Sequence, residues 1–291
     1  MVELDQKRKT LADMVMSEET LIVPGVFDMV SAKIAAQEKH HAIYMSGYAT
    51  VASHLGLPDA GLASYAEMVE RAAAIASSVD IPLIADTDTG FGGLLNIRHT
   101  VKGFERAGVS AIQIEDQEFP KKCGHTTGRR VIPVEEMVQK IEVAVESRTD
   151  SNFLIIARTD ARTSLGLEEA IERALAYQIA GADILFVESP EKESEFAEIA
   201  HRLDAPLLAN MVEGGRSPVL SQERLQELGY AIAIYPGTGF FAAAAALKAV
   251  YAHVGKTGSS LGVKNSLYPI DEMHKLMGFE DVWDFEKKWA K

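Results

Sequence analysis

The chain has 291 residues, 47% of them hydrophobic and 24% charged, which is enough to bury the core of one large domain. The formal net charge of −13 argues against nucleic acid or an anionic membrane as the main partner, but it is compatible with a small anionic substrate. A single cysteine cannot form an intrachain disulfide, and the N-terminus lacks the apolar core of a signal peptide. No apolar run suggests a membrane span, so we expect a cytoplasmic location.

Eight short apolar runs recur along the chain, and each ends in polar or turn residues. They are nearly continuous in Ile, Leu, Val and Ala, as expected of parallel strands that are buried on both faces. These runs predict strands at residues 21–28, 42–48, 82–90, 111–117, 153–161, 184–190, 206–212 and 231–237.

Segments of helical periodicity lie between the strands, and several end in glycine, as helices often do. Eight strands that alternate with helices predict a (β/α)8 barrel over residues 1–255. A doubly wound open sheet is the alternative, but no glycine-rich dinucleotide fingerprint follows the first strand. Residues 256–291 are predicted to form a polar linker and an aromatic helix, which either packs on its own barrel or contacts another subunit. The clearest helices are predicted at residues 64–79, 96–108, 134–148 and 167–182.

Polar side chains follow several of the predicted strands, where a barrel would place its chemistry. Asp86 and Asp88 end the third strand and, being two residues apart, point to one side of it. Glu115 ends the fourth strand, so the carboxylates converge and would repel one another unless they are protonated or bind a cation. Oxygen ligands favour Mg²⁺ or Mn²⁺ over zinc, so we expect a metal site here. Turns and helix caps are the alternative explanation.

Arg158 ends the fifth predicted strand and would be buried there. A buried arginine needs an anion, which is either a carboxylate of the protein or one of the substrate. None of the predicted strands contains a lysine, which argues against a Schiff-base aldolase. Carbon–carbon chemistry on this scaffold would therefore need a metal-stabilised route.

Cys123 lies in the most basic loop of the chain, "KKCGHTTGRR" at residues 121–130. Lys121, Lys122 and His125 flank it, and nearby positive charges are expected to lower the pKa of the thiol and to make it a usable acid or nucleophile. A small buried apolar residue is the alternative interpretation of a lone cysteine. The basic surroundings favour a functional thiol.

These motifs resemble those of the isocitrate lyase/phosphoenolpyruvate mutase superfamily along nearly the whole chain. "KKCGH" is the signature of the lyase branch, and the mutases and phosphonate hydrolases lack it. The resemblance implies a Mg²⁺-dependent barrel, with Mn²⁺ as a substitute, and a homotetramer whose paired subunits exchange their C-terminal helices. Five other segments occur in the order of the family: "SGY" (46–48), "DTDTGFGG" (86–93), "IEDQ" (114–117), "ARTDA" (157–161) and "VESP" (187–190).

Carried over by position, the resemblance also implies the roles of individual residues. Asp86 would coordinate Mg²⁺, with Asp59, Asp88 and Glu115 in its shell, partly through water. The group that carries out the chemistry would be Cys123 with Tyr48, Lys121 and His125, in and around a loop that closes over the substrate. The substrate-binding residues would be Ser46, Gly47, Gly124, Arg158, Glu188, Asn210 and Ser217.

The reaction implied by the resemblance is a retro-Claisen-type cleavage. The metal would acidify the hydroxyl of a 2-hydroxyacid, and loss of that proton would break the C2–C3 bond and release a 2-oxoacid. Tyr48 would assist the deprotonation, and Cys123 would protonate the departing enediolate as general acid. Loop closure would exclude water from the intermediate.

Departures from the methylisocitrate lyases narrow the substrate. Those enzymes usually read "LYPLSAFR" near the eighth strand, whereas this chain reads "IYPGTGFF", and Phe241 replaces the arginine that binds the third carboxylate. Arg129 and Arg130 are the alternative source of that charge, while "NMVEGGRSP" (210–218) resembles the branch that cleaves 2-alkylmalates. We therefore expect a dicarboxylate such as 2,3-dimethylmalate, cleaved to propionate and pyruvate. The alternatives are 2-methylisocitrate lyase activity, hydrolysis or decarboxylation of oxaloacetate, and a barrel that binds a metabolite without catalysis.

Overall fold

The computed structural model describes residues 2–126, 128–263 and 267–290, so part of the predicted C-terminal linker lies outside the described residues. The chain divides into two units, Met1–Phe240 and Phe241–Lys291, and each is described by itself. The boundary lies before the residue at which the sequence pattern ends the barrel. The assignment of the C-terminal helix to this barrel or to a neighbouring subunit stays a prediction.

All eight predicted strands are present in the first unit, and each is shorter than its apolar run. The polar ends of the runs fall in the loops that follow the strands, which is where a barrel carries its functional residues. The strands are β1 (Leu21–Val26), β2 (Ile43–Met45), β3 (Leu83–Asp86), β4 (Ala111–Glu115), β5 (Leu154–Thr159), β6 (Ile184–Val187), β7 (Leu208–Asn210) and β8 (Ile232–Tyr235).

The strands form one parallel sheet in the order β6-β5-β4-β3-β2-β1-β8-β7. An isolated parallel bridge between Leu185 and Leu207 joins the two ends of this order, and the amide of Leu185 donates to the carbonyl of Pro206 at 2.9 Å. The sheet therefore forms a nearly closed barrel with helices between the strands. This confirms the (β/α)8 prediction over the doubly wound alternative.

Helices follow the strands, and local capping explains where several of them begin. Ser64 and Glu67 form a capping box at the start of α4, and Asp28 and Ser31 form another at the start of α2. The helices are α1 (Val2–Val15), α2 (Met29–Gln37), α3 (Gly47–Leu55), α4 (Tyr65–Ser77), α5 (Leu94–Arg106), α6 (Val134–Ser147), α7 (Ala161–Leu165), α8 (Leu167–Ile179), α9 (Glu193–Arg202) and α10 (Gln222–Glu227).

The helix α1 closes the N-terminal end of the barrel. Leu11 and Val15 pack with the inward side chains of the strands, among them Val23 and Ile84, in one buried cluster. Arg8 fastens the helix by donating to the carbonyls of Val109 and Glu105 at 3.2 and 2.5 Å. Because this end is plugged, only the carboxyl ends of the strands form an open mouth.

The second unit contains the rest of α11 (Thr238–Thr257), together with α12 (Ile270–Leu276) and α13 (Phe279–Trp289). Phe279 and Trp283 pack against each other with ring centroids 6.0 Å apart. None of the residues of α12 and α13 is buried, and Trp283, Phe285 and Trp289 are all exposed. Among the described residues, no helix is both long and apolar enough to cross a membrane.

The plug generates a first prediction. Leu11→Ala is expected to lower the free energy of unfolding by about 2–5 kcal/mol, because it leaves a cavity in a fully buried cluster. Chemical denaturation measures this change. Met16→Ala is the control, since Met16 is an apolar side chain just beyond the same helix and is 75% exposed. Equal stability of the two variants would contradict the plug.

Candidate active site

Asp86 is held at the end of β3 by three donors from the surrounding strands. Its Oδ2 accepts from the amide of Gly47 at 3.3 Å, and its Oδ1 accepts from the amide of Asp88 at 3.0 Å and from Nε2 of Gln113 at 3.3 Å. A Cβ on residue 47 would lie only 2.5 Å from Oδ2 of Asp86. Glycine is therefore required for the backbone to approach this carboxylate.

A buried polar chain beneath Asp86 was missed by the sequence analysis. The hydroxyl of Tyr44 in β2 donates to Oε1 of Gln113 in β4 at 2.9 Å, and the amide group of Gln113 in turn donates to Asp86. Burial and the negative charge of Asp86 raise the pKa of Tyr44, so the phenol stays protonated. The sequence offered one signal for this chain: Tyr44 and Gln113 are polar side chains within the apolar runs that form β2 and β4. A polar group in the interior needs a hydrogen-bond partner, so the two could have been expected to pair.

Lys121 bridges two of the predicted metal-shell carboxylates. Its ammonium contacts Oδ1 of Asp59 and lies 2.6 Å from Oδ1 of Asp88, and all three side chains are buried. Burial raises the pKa of Asp88 to about 6, although Lys121 opposes that change. Burial lowers the pKa of Lys121, but the nearby carboxylates, Asp88 foremost, outweigh it and raise the pKa well above its usual value. The lysine is therefore a fixed positive charge in this cluster.

The donor set fits a water-rich Mg²⁺ site. Among the described residues, Oε1 of Glu115 is buried without a hydrogen-bond partner, and Glu115 ends the strand that pairs with β3, which carries Asp86. In residues 2–126, 128–263 and 267–290, no group of three His, Cys, Asp or Glu side chains is arranged to hold a metal ion by itself. Mg²⁺ usually takes one or two carboxylates and fills its other positions with water or substrate, and these two side chains suit that mode.

Arg158 is buried among carboxylates at the end of β5. Its Nε and Nη2 donate to Asp160 at 2.9 Å each, and Nη2 also lies 3.2 Å from Oε2 of Glu188. Its Nε lies 3.5 Å from Glu115, and its guanidinium stacks over the ring of Phe186. Among the described residues, Nη1 has no hydrogen-bonded partner, so one donor face remains for an external anion.

The basic loop closes over this group. Residues 118–126 and 128–130, together called the gate loop below, belong to an excursion whose neck is an antiparallel bridge between Gln117 and Val131. The amide of Cys123 donates to the carbonyl of Asp59 at 3.2 Å, and Ser189 donates to the carbonyl of Gly124 at 3.2 Å. A Cβ on Gly124 would overlap Nη2 of Arg158. The loop therefore lies directly on the arginine, in a closed position.

The prediction that the basic loop lowers the pKa of the Cys123 thiol is wrong. The pKa of Cys123 is raised, first by burial and then by the negative charges of Asp59 and Glu188. The ammonium of Lys121 contacts the carboxylates of Asp59 and Asp88, so it does not lower the pKa of the thiol as the sequence suggested. The thiol therefore stays protonated at neutral pH, which suits a proton donor and not a nucleophile.

His125, Asn210 and Glu188 form the far side of the pocket. Nδ2 of Asn210 donates to Oε2 of Glu188 at 3.0 Å and lies 3.3 Å from Nε2 of His125. The amide of Arg216 donates to Nδ1 of His125 at 3.3 Å, and burial lowers the pKa of this histidine, so it is neutral at neutral pH. Oδ1 of Asn210 and Oγ of Ser217 are buried without hydrogen-bond partners among the described residues.

Ser46 and Tyr48 lie where α3 begins. The hydroxyl of Ser46 caps this helix by accepting from the amide of Ala49 at 3.3 Å. The ring of Tyr48 packs edge-on against Phe240, which also contacts Phe27 with centroids 5.2 Å apart. Tyr48 is 40% exposed, so it belongs to the rim of the mouth.

Asp116, Arg129 and Arg130 are polar side chains whose partners lie within the protein. Asp116 is structural, because it accepts from the hydroxyls of Thr159 and Tyr177 at 2.8 and 2.7 Å. Arg129 is buried against Asp160, whereas Arg130 is exposed and pairs with Glu118 on the surface. Neither arginine is therefore an unpaired cation that could replace the one missing at residue 241, which itself lies in the second unit.

Known proteins match almost the whole length of this chain. The family model described as phosphoenolpyruvate phosphomutase matches residues 11–255. The 2,3-dimethylmalate lyase of Eubacterium barkeri is 44% identical, with 96% of this chain and 97% of that protein covered. A 2-methylisocitrate lyase of Aeropyrum pernix is 41% identical, with 99% and 92% covered. The solved structure of oxaloacetate acetylhydrolase with the inhibitor 3,3-difluorooxalacetate superimposes with a TM-score of 0.92 at 34% identity, and covers 98% of this chain and 97% of that one.

These matches extend over the segments that carry the strand-end carboxylates and the gate loop. Lyases of this family generally depend on a divalent metal ion, which is consistent with the oxygen-only donors around Asp86. Both curated relatives named above are carbon–carbon lyases and span nearly their full length in the comparison. The chain therefore belongs to the isocitrate lyase/phosphoenolpyruvate mutase superfamily, in its lyase branch.

Proposed function

We propose that this protein is a Mg²⁺-dependent lyase that cleaves 2,3-dimethylmalate to propionate and pyruvate. The observation that carries the proposal is the closed gate loop, which brings Gly124 onto Arg158 and Glu188 and ties the backbone of Cys123 to Asp59. A proton donor, a carboxylate-binding cation and a cluster of carboxylates thus meet in one pocket. The 44% identity to a 2,3-dimethylmalate lyase supports the choice of substrate.

The substrate is held by its two carboxylates. Nη1 of Arg158, which has no hydrogen-bonded partner among the described residues, is the donor left for the carboxylate on C2, and Ser46 and Gly47 would hold the same half of the substrate. We assign the carboxylate on C3 to Asn210, His125 and Ser217, because their neutral polar groups suit the half of the substrate that departs as propionate. Asp86 and Glu115 would hold the metal ion, with Asp59 and Asp88 acting partly through water. When bound, this ion supplies the positive charge that acidifies the C2 hydroxyl.

Cleavage then needs one proton removed and one delivered. Tyr48, at the rim, assists transfer of the hydroxyl proton to a water molecule, and the electrons of that O–H bond form the carbonyl of pyruvate while the C2–C3 bond breaks; a proton taken up from solvent after product release restores the Cys123 thiol. The pair left on C3 is delocalised into its carboxylate as an enediolate. Cys123 donates its proton to C3, which gives propionate, and the raised pKa of the thiol keeps that proton available. The closed gate loop keeps water from quenching the enediolate.

Turnover of candidate acids tests the proposal directly. With Mg²⁺ present, 2,3-dimethylmalate should release pyruvate, followed through lactate dehydrogenase. Its kcat/KM should exceed that of 2-methylisocitrate about tenfold or more, since a third buried carboxylate without a partner is costly. Hydrolysis of oxaloacetate, the reaction named for the structural relative, would give oxalate and acetate instead. No turnover of any of these acids would refute the lyase assignment, and a clear preference for 2-methylisocitrate would refute the substrate.

The thiol gives a second test. Cys123→Ser should lower kcat about 10²–10⁴-fold, because the hydroxyl is a far weaker acid than the thiol it replaces. Mg²⁺ affinity and Tm should stay unchanged, since Cys123 uses only its backbone to contact Asp59. Nearly normal turnover in this variant would exclude the thiol as the proton donor.

The exposed aromatic residues of the second unit support a homotetramer in which subunits exchange their C-terminal helices. Large exposed apolar side chains mark an interaction surface, and two exposed aromatic pairs, Phe279 with Trp283 and Phe285 with Trp289, lie along α13. Sedimentation should give a mass four times the 31.6 kDa of the chain. Trp283→Glu should dissociate the assembly, while Ile179→Glu, an exposed apolar position in the barrel unit, should not. A monomeric wild-type protein would contradict this assembly.

A further inference from the structure

Arg129 differs from the other basic residues of the gate loop in its burial and its partners. Its side chain is 1% exposed, its Nη1 contacts Oδ1 of Asp160, and its Nη2 donates to Oγ1 of Thr163 at 2.5 Å. Arg130, the next residue, has a side chain that is 78% exposed and pairs with Glu118 at 2.8 Å. One of two neighbouring arginines thus enters the barrel mouth, while the other stays on the surface.

Asp160 is shared between Arg129 and Arg158. Oδ1 of Asp160 accepts from both guanidiniums, and Oδ2 accepts from Nε of Arg158 at 2.9 Å. The backbone of Asp160 is itself fixed, because its amide donates to Oδ1 of Asp116 at 2.9 Å. A rigid carboxylate therefore connects the end of the gate loop to the arginine beneath it.

The charges around Arg158 show why a second cation matters. Arg158 contacts the carboxyl groups of Asp160, Glu188 and Glu115, so one guanidinium is shared by three acidic side chains. An incoming substrate carboxylate would meet a net negative field unless one of these charges is neutralised elsewhere. Arg129 neutralises Asp160, and its fork orients the carboxylate that in turn orients Arg158.

We propose that Arg129 is a positioning residue for substrate capture, which acts through Asp160 on Arg158 and so couples closure of the gate loop to binding of the substrate carboxylate. The coupling is reciprocal: a closed loop strengthens carboxylate binding, and a bound carboxylate stabilises the closed loop by the same factor. This inference rests on the proposed role of Arg158 as the carboxylate-binding residue.

Oxalate is a suitable probe, because two adjacent carboxylates imitate the 2-oxoacid half of the substrate without undergoing cleavage. Arg129→Met should weaken oxalate binding in the presence of Mg²⁺ about 10- to 100-fold, as measured by calorimetry. In turnover of 2,3-dimethylmalate, the same variant should raise KM more than it lowers kcat. Arg129→Lys keeps the charge but cannot bridge Asp160 and Thr163, so its affinity for oxalate should lie between those of the wild type and Arg129→Met. Arg130→Met is the matched control and should bind oxalate as the wild type does.

The single cysteine reports the position of the gate loop independently of turnover. Cys123 is the only cysteine in the chain and is half-buried in the closed loop, so its reaction rate with a disulfide reagent measures opening. Oxalate with Mg²⁺ should protect the thiol in the wild type and in Arg130→Met. In Arg129→Met the thiol should react faster, and protection should need proportionally more oxalate.

The outcomes separate this inference from the proposed function. Unchanged oxalate affinity and thiol protection in both Arg129 variants would overturn the coupling, even if the wild type cleaves 2,3-dimethylmalate. Equal losses in Arg129→Met and Arg130→Met would also overturn it, because they would show a general effect of loop charge. If Arg129→Met fails to fold, Arg129→Lys decides the question. A wild type without turnover would refute the lyase assignment but leave the oxalate and thiol measurements readable.

Discussion

The site depends on one electrostatic constraint, which is the neutralisation of buried carboxylates at the carboxyl ends of the strands. An isolated buried carboxylate is costly, so each needs a cation or a proton. Lys121 serves Asp59 and Asp88, and Arg129 shares Asp160 with Arg158. Two of these three cations belong to the gate loop. The loop is therefore held closed by the same charges that the pocket needs for stability, and opening it exposes carboxylates that must then find water or a metal ion.

This constraint also determines how the metal ion can share the site with Lys121. The lysine occupies the inner oxygens of Asp59 and Asp88, so these residues are suited to contact an ion through water. Asp86 is oriented by Gly47 and Gln113 instead, and in the part of the chain that the structure describes Oε1 of Glu115 is buried without a hydrogen-bond partner. A divalent ion held by Asp86 and Glu115 would neutralise a pair of carboxylates other than the pair that the ammonium of Lys121 contacts.

The sequence predicted the barrel well, because parallel strands buried on both faces produce apolar runs that few other structures require. It also identified the strand-end carboxylates and the gate loop, which are local features. It could not predict the chain from Tyr44 through Gln113 to Asp86, which joins separate strands. It could not separate Arg129 from Arg130, since the burial of either depends on the path of the loop. The sequence also suggested that the pKa of the Cys123 thiol is lowered, whereas the structure raises it. Lys121 lies close in sequence, but its ammonium contacts the carboxylates of Asp59 and Asp88.

The balance of charges bears on the substrate independently of residue 241. At the mouth of the barrel unit, Lys121, Arg129 and Arg216 are each paired with a carboxylate of the protein, and His125 is neutral because burial lowers its pKa. Arg158 is also paired, and among the described residues its Nη1 has no hydrogen-bonded partner; Nε of Arg129 and Nε of Arg216 likewise lack one. A dicarboxylate can therefore place one carboxylate on Arg158 and the other against neutral donors such as Asn210. A third carboxylate that approached Lys121, Arg129, Arg158 or Arg216 would compete with the protein carboxylates that these residues already hold, and that competition favours the smaller acid.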